Sequence, residues 1–377
     1  MTTTRIDEAA RLEAAAAVAP GTLLAWGRNG SGQLGDGTTT NRALPTPVPN
    51  LTGVTALAEG SSHTLAVLSN GTVRAWGDNG NGELGDGTKT GRSTPAPVPG
   101  LAGVVAVTAG SAHSLALLAD GRLFAWGRNS QGQLGIGSSR GDHLTPVQVQ
   151  NLGLSRVKAL AAGDNFTLVL LADGTVLSCG SNSNGELGDG TETKRSTLAP
   201  VQNLIPAKAI AAGRRHSMAL TSNGGIRAWG DNSNGQLGNG STTDSPLPTT
   251  VDTDSLNGPV IAVACGGLHS LALMATGGRI KGWGENGEGQ LGVGTTSSPR
   301  VFPVPVTSGA EGAIAIDAGF VHSLALLING TVRAWGQNSD GQVGDGSTIN
   351  RAKPTQVSGL VGITAVTAAG NSSFALQ

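Results

Sequence analysis

L-A-G-V-V-A-V-T-A-G-S-A-H-S-L-A-L-L-A-D-G-R-L-F-A-W-G-R-N, residues 101–129, places three apolar runs of strand length between glycine-bearing breaks. Val104 to Thr108, His113 to Leu118 and Arg122 to Trp126 each read as a strand, with Asp120-Gly121 a hairpin turn pair between the last two. A proline-bearing extended run, T-P-V-Q-V, follows the next G-x-L-G turn. Proline cannot donate to a ladder, which confines that fourth run to a sheet edge. Four antiparallel strands in this order make one blade of a propeller.

The unit recurs. W-G-x-N-x-x-G-x-L-G begins at Trp26, Trp76, Trp126, Trp229, Trp283 and Trp335, which are all the tryptophans of the chain, and a seventh copy has Cys179 in the tryptophan slot. Upstream of each lies A-G-x-x-H-S-L-A-L, its histidine slot filled by His63, His113, Phe166, His216, His269 and His322, with a degenerate copy near Ser373. A period of about fifty residues marks a repeat array in which no unit can bury its own apolar face. The chain opens on a W-G strand and closes on A-G-N-S-S-F-A-L, so each end holds half a blade. Pairing the C-terminal half as inner strands with the N-terminal half as outer strands gives an all-β, seven-bladed propeller closed by its own termini, with no open sheet edge. Residues 21–377 form this one domain; residues 1–20 read as an Ala-rich extension, a short helix or disordered.

Composition excludes several classes. The 24 Lys and Arg against 25 Asp and Glu supply no basic field for nucleic acid. The stretch A-A-A-A-V-A is too short to span a bilayer, and Asp7, Glu8 and Glu13 spoil a secretory start, so no membrane is expected. A cytoplasmic monomer is the expectation, or a secreted one had an export signal been removed. The two cysteines occupy different repeat slots, so neither a disulfide framework nor a metal or cofactor site is expected.

The paired motifs resemble the regulator of chromosome condensation repeat family, over residues 21–377. The resemblance implies a seven-bladed propeller that serves as a binding platform. Nucleotide-exchange members carry a wedge hairpin and a basic tail, which this chain lacks, and the ultraviolet-B photoreceptors carry tryptophans in a G-W-R-H-T motif whose counterparts here contain none. In organisation the chain is similar to the bacterial propeller-type β-lactamase inhibitors, whose binding rim includes the two residues between A-G and the histidine slot and is rich in aromatics. Here those pairs read Ser61-Ser62, Ser111-Ala112, Asp164-Asn165, Arg214-Arg215, Gly267-Leu268, Phe320-Val321 and Asn371-Ser372.

A residue repeated in every blade is structural far more often than catalytic. The slot histidines are therefore expected to bond neighbouring blades and the tryptophans to pack between them. His143, in S-S-R-G-D-H-L-T-P, stands outside the register and reads as a solvated loop residue. Asp36, Asp86, Asp189 and Asp345 of G-D-G-T pair with Arg42, Arg92, Arg195 and Arg351 rather than bind calcium, which needs several oxygen ligands. Positions that vary against the template carry the functional expectation. These are Cys179 and Phe166 in the fourth blade, then Asp164, Asn165, Arg214 and Arg215 as polar excursions, with Phe320, Ser61, Ser62, Ser111, Leu268 and Asn371 completing a partner-binding rim, and Glu59 and Asp317 adding acid near the channel mouth. No nucleophile–base pair is present, and no catalytic residue is assigned. The expected function is a non-catalytic scaffold binding a protein partner through this rim. The rivals are a binder of a small polar ligand, or an enzyme of bacterial specialised metabolism, working at the channel mouth with Asp164, Arg214, Arg215 and Glu59, and a structural or consensus-designed repeat protein.

Overall fold

Blade 1 joins the two ends of the chain: β1 (Leu23–Gly27) and β2 (Arg42–Pro47) from one, β27 (Ala365–Ala369) and β28 (Ser372–Leu376) from the other, in the order β2-β1-β28-β27. The computed structural model describes residues 21–377 except 151, 153 and 154; the expected extension at 1–20 lies outside the described residues. Blade 2 holds β3 (Val54–Glu59), β4 (His63–Leu68), β5 (Val73–Gly77) and β6 (Arg92–Pro97), and blades 3 to 7 repeat this order within 104–149, 157–200, 207–250, 260–305 and 313–356. The seven four-stranded antiparallel sheets match the expected architecture, and β1 pairs with β28 from Leu23↔Leu376 to Gly27↔Ser372. In blade 3 the first strand runs one residue further than expected, to Ala109. The third begins at Leu123, because the Arg122 carbonyl accepts the Leu118 N–H and its own N–H donates to the Asp120 carboxylate, holding it in the turn.

The outer strands are edges, and their prolines remove donors that another chain could pair with. The fourth residue of the outer strand is proline in six blades, for example Pro45, Pro95 and Pro354; in blade 4 it is Leu198.

The core lies between blades. All six tryptophans are fully buried, and each indole N–H donates to a backbone carbonyl of the preceding blade: Trp76 to Gln33 O at 2.7 Å, Trp229 to Glu186 O at 2.8 Å. The first hydroxyl after the histidine slot donates to the same carbonyl, as Ser217 does to Glu186 O (3.0 Å) and Ser270 to Gln236 O (2.9 Å). That hydroxyl in turn accepts from the histidine of the blade before it: His63 Nε2 lies 2.9 Å from Ser114 Oγ, His216 Nε2 2.9 Å from Ser270 Oγ and His322 Nε2 2.8 Å from Ser373 Oγ. Because the hydroxyl proton goes to the carbonyl, the imidazole carries a proton on Nε2, and burial keeps the ring neutral. Burial drives His63 and His322 down to about 4 and His113, His216 and His269 to about 3. The expected blade-to-blade role of the histidines is met by this tautomer.

Gly213 precedes the turn into the histidine slot and shows why that position is glycine. A Cβ there would run into both the His216 ring and the carbonyl of Gly266 in the next blade. Gly85 serves the tryptophan in a similar way: its φ is +68° and an added Cβ would stand 2.7 Å from Trp126 Nε1.

Blade 4 departs from the template and compensates within itself. Cys179 is fully buried, its thiol pushed up to about 12 by that burial, and its Sγ lies 3.5 Å from Gln133 O where an indole would donate. The space vacated by the indole is taken up by Leu198, which stands against Gly135 beside Cys179. Phe166 fills the histidine slot with an apolar ring, fully buried, so Ser217 keeps its bond to Glu186 O without a histidine. These two departures correct the expectation of function there: both side chains are fully buried and act as packing substitutions.

Candidate functional site

The acid–arginine pairs form as expected: Asp36–Arg42 at 2.7 Å and Asp189–Arg195 at 3.1 Å, with Asp345–Arg351 and Asp86–Arg92 in the same geometry. Each of these aspartates also accepts from the hydroxyl two residues on, and these hydrogen bonds hold the carboxyls below the usual range against their burial. His143 is a correction. It opens the outer strand His143–Val149 opposite Gly127, as Arg92 stands opposite Gly77, so it occupies the arginine slot. Its acidic counterpart has become Ile136, and one extra residue between the two hides the register in the sequence. Both members of the pair changed together.

The rim dipeptides divide into two rings. The first residues of blades 2 to 7, with Gly370 in place of Asn371 in blade 1, circle the channel mouth, linked by backbone hydrogen bonds from blade to blade: Ser111 N–H to Asp164 O (3.2 Å), Asp164 N–H to Arg214 O (3.1 Å), Gly267 N–H to Phe320 O (3.0 Å) and Phe320 N–H to Gly370 O (2.7 Å). Ser61 Oγ donates to Ser111 Oγ across blades 2 and 3 at 3.0 Å. This stitching narrows the mouth to a cavity of about 60 Å³ lined by Ser61, Ser111, Asp164, Arg214, Phe320 and Glu59. Ser62, Leu268 and Asn371 are half-buried beside it and do not line it.

Arg214 links blades 4, 5 and 7 and crosses blade 6. Its Nε donates to Asp164 Oδ2 at 3.1 Å, and its guanidinium carbon stands 5.2 Å from the centre of the Phe320 ring, within cation–π range. Gly267, on the blade between, makes that reach feasible: a Cβ there would sit 3.2 Å from Arg214 Cδ. Asp164 is held above the usual carboxylate range by burial, which outweighs the opposing pull of Arg214 and Arg215.

A second cavity, about 370 Å³, opens outside the mouth over blades 3 to 5. Its walls include Gln131, Asn165, Glu186, Lys194 and Arg215. Arg215 is exposed and its guanidinium makes no hydrogen bond or ion pair among the described residues, while Lys194 donates only to the Ser130 carbonyl (3.1 Å). Glu186 on the floor is raised by burial and accepts from Asn184 N–H (2.9 Å). Sequence reasoning found Asn165 and Arg215 and missed Gln131, Glu186 and Lys194. Gln131 and Glu186 sit in the repeated W-G-x-N turn, and only the fold brings that turn beside the rim.

Glu59 and Asp317 flank the closing blade. Glu59 Oε2 accepts from Ala369 N–H at 3.3 Å, and Asp317 Oδ2 accepts from Ala368 N–H (3.1 Å) and the Thr367 hydroxyl (3.0 Å). The two acids grip β27 from its neighbours on either side. Among the described residues no three His, Cys, Asp or Glu converge on a metal-sized site, and no helix is long and apolar enough to cross a membrane.

A family model described as RCC1-like domain matches residues 145–377, and models of the Regulator of chromosome condensation (RCC1) repeat match 20–67 and 70–117, and 54–83 and 104–133. The chain is 44% identical over 203 residues to human (Homo sapiens) Probable E3 ubiquitin-protein ligase HERC3, covering 53% of this chain and 19% of that protein. It is 32% identical over 219 residues to the Ultraviolet-B receptor UVR8 of Arabidopsis thaliana, covering 57% and 49% respectively. It therefore spans about a fifth of the first relative's length and about half of the second's. Among solved structures, Prp20p from Saccharomyces cerevisiae, described with its binding properties to Gsp1p and histones, superposes with a TM-score of 0.83 at 25% identity, covering 96% of this chain and 92% of that one. Human WBSCR16 gives 0.85 at 23% identity, covering 95% and 99%, a likeness of fold. With the RCC1-like domain model matching more than half of its residues, and the repeat models most of the remainder, this chain belongs to the RCC1-like propeller family.

Proposed function

We propose that this propeller is a non-catalytic interaction scaffold, a cytoplasmic monomer that binds a protein partner through the rim of blades 4, 5 and 7. The observation that carries the reading is Arg215: an exposed guanidinium with no acceptor among the described residues, beside the Asp164–Arg214–Phe320 line and over a 370 Å³ cavity. Exposed arginine next to an aromatic ring is the composition of interface hot spots, and five unfilled donors call for a carboxylate on the partner. The likeness to Prp20p, described as binding Gsp1p and histones, supports partner binding as the mode of action. Both cysteines are buried and neither is in a disulfide, in keeping with a reducing compartment.

The test is capture of partners from lysate by the immobilised protein and by the Arg214→Ala/Arg215→Ala variant. The variant is expected to lose the bound partner with little change in melting temperature, since the Arg214–Asp164 pair is partly exposed and such pairs contribute about 0–1 kcal/mol. Equal capture by both proteins would remove the rim from the reading. Retention of a small polar metabolite in the larger cavity, with no protein captured, would favour the ligand-binding alternative, for which a 370 Å³ pocket is of ordinary size.

A further inference from the structure

Glu59 breaks a ring of small residues. The last position of the inner strand is Ala109, Ala162, Ala212, Cys265, Ala318 and Ala369 in the other six blades, and these line the channel just beneath the rim. Glu59 puts a carboxyl among them, 4% exposed, lining the 60 Å³ mouth cavity. One oxygen is used on Ala369; Oε1 is buried and has no hydrogen-bond partner, the nearby Ser372 hydroxyl giving its proton to Arg28 O at 3.0 Å. A buried acceptor left unmade costs about 1–3 kcal/mol, more for a charged group, so a ligand that fills it has a matching gain to draw on.

We propose that the channel mouth is a binding site for a primary ammonium group, held by the Glu59 carboxylate. The charged groups that face this carboxyl are Asp317 behind the adjoining strand, Asp164 across the mouth and Arg214. Arg214 is already committed to Asp164 and the Phe320 ring, so with Glu59 ionised the mouth is net acidic. His63, the nearest imidazole in the same blade, is neutral. The hydroxyls of Ser61 and Ser111 add oxygen acceptors on the same wall. A divalent metal would need six or more oxygen ligands, and no such cluster exists among the described residues; an ammonium needs only about three acceptors and a cavity a little larger than a water. Burial, with the nearby Asp317, keeps the Glu59 carboxyl well above its usual range, so a bound cation, which favours the ionised form, draws proton density off it into solvent.

Calorimetric titration with n-butylammonium, tetramethylammonium and potassium chlorides, at neutral pH in two buffers of different ionisation heat, reads both affinity and proton release. The expected result is saturable binding of n-butylammonium with release of up to about one proton, at least tenfold weaker binding of the other two cations, and loss of the proton signal with a tenfold or greater drop in affinity in Glu59→Gln. Nα-acetyl-lysinamide binding as well as n-butylammonium would identify a lysine side chain as the natural source, and binding of n-butylammonium alone a free amine. Should Glu59→Gln fail to fold, Asp317→Asn serves: it is expected to retain binding with less proton release. Equal affinity for potassium, unchanged affinity in Glu59→Gln, unchanged proton release in Asp317→Asn, or no saturable binding of n-butylammonium would each overturn the proposal.

Discussion

Trp229→Ala is expected to cost about 3–5 kcal/mol of stability, the range for truncating a fully buried aromatic side chain, and to lower the denaturant midpoint accordingly. The indole is completely buried in the interface of blades 4 and 5 and its N–H satisfies Glu186 O, so the substitution opens a cavity and removes a donor together. The chain's own exception sharpens the expectation. At Cys179 the indole is already gone, and Leu198, where the other blades have proline, stands in the space that the indole fills elsewhere. Restoring the template by Cys179→Trp alone is expected to destabilise by about 1–3 kcal/mol through overpacking, and adding Leu198→Pro to recover part of the loss. A higher midpoint for Cys179→Trp alone would show that blade 4 holds an unfilled void.

Acid should unfold this ring well above the pH at which carboxylates titrate. The folded state keeps five imidazoles neutral, at about 3 or about 4 against an ordinary 6.5. Between those limits the unfolded chain binds more protons, so the contribution is complete above pH 6.5 and is lost as pH falls. At pH 5 each histidine has lost about 2 kcal/mol, and five together on the order of 10 kcal/mol, comparable to the whole stability of an ordinary domain. The aspartates of the acid–arginine pairs are depressed below 3.8 and lose their contribution only at lower pH, outside this window. Glu59 has the opposite sign: with its folded pKa raised, its contribution is complete below 4.5 and fades as pH rises. The measurement is melting temperature from pH 7.5 to 5, with proton uptake from its slope. A His216→Phe variant, which copies the natural Phe166 of blade 4, should take up one proton fewer. A melting temperature constant from pH 7 to 5 would refute the neutral, buried assignment.

The fold was legible because a blade cannot bury itself. Tryptophan, histidine and glycine recur wherever one sheet meets the next, and the two half-motifs at the chain ends specify how the ring closes. Less of the candidate site was legible. The rim dipeptides stand out against the template, so Asp164, Arg214 and Arg215 could be found by their departure from it. Gly267 could not, since its role is the room it leaves for Arg214 from the blade before, and a missing side chain gives no signal in a chain with 60 glycines. Glu186 and Gln131 were hidden for the opposite reason, because they obey the repeat. His143 was misread through a one-residue insertion, and the loss of its acid to Ile136 was the signal that could have placed it.

The closing blade also sets a timetable. β1 is synthesised ahead of β28 by the length of six other blades, yet the two are neighbours in one sheet. At about 5–20 residues per second, β1 waits on the order of tens of seconds for its inner partner. During that interval β1 has β2 beside it, and Leu23 and Ala25 can meet blade 2, but Trp26, buried against blade 7 in the finished ring, has no sheet to rest on. Such long-range pairing folds slowly. The half-blade made first is therefore where a growing chain most needs shielding, by a chaperone or by slow translation, until the last strand arrives.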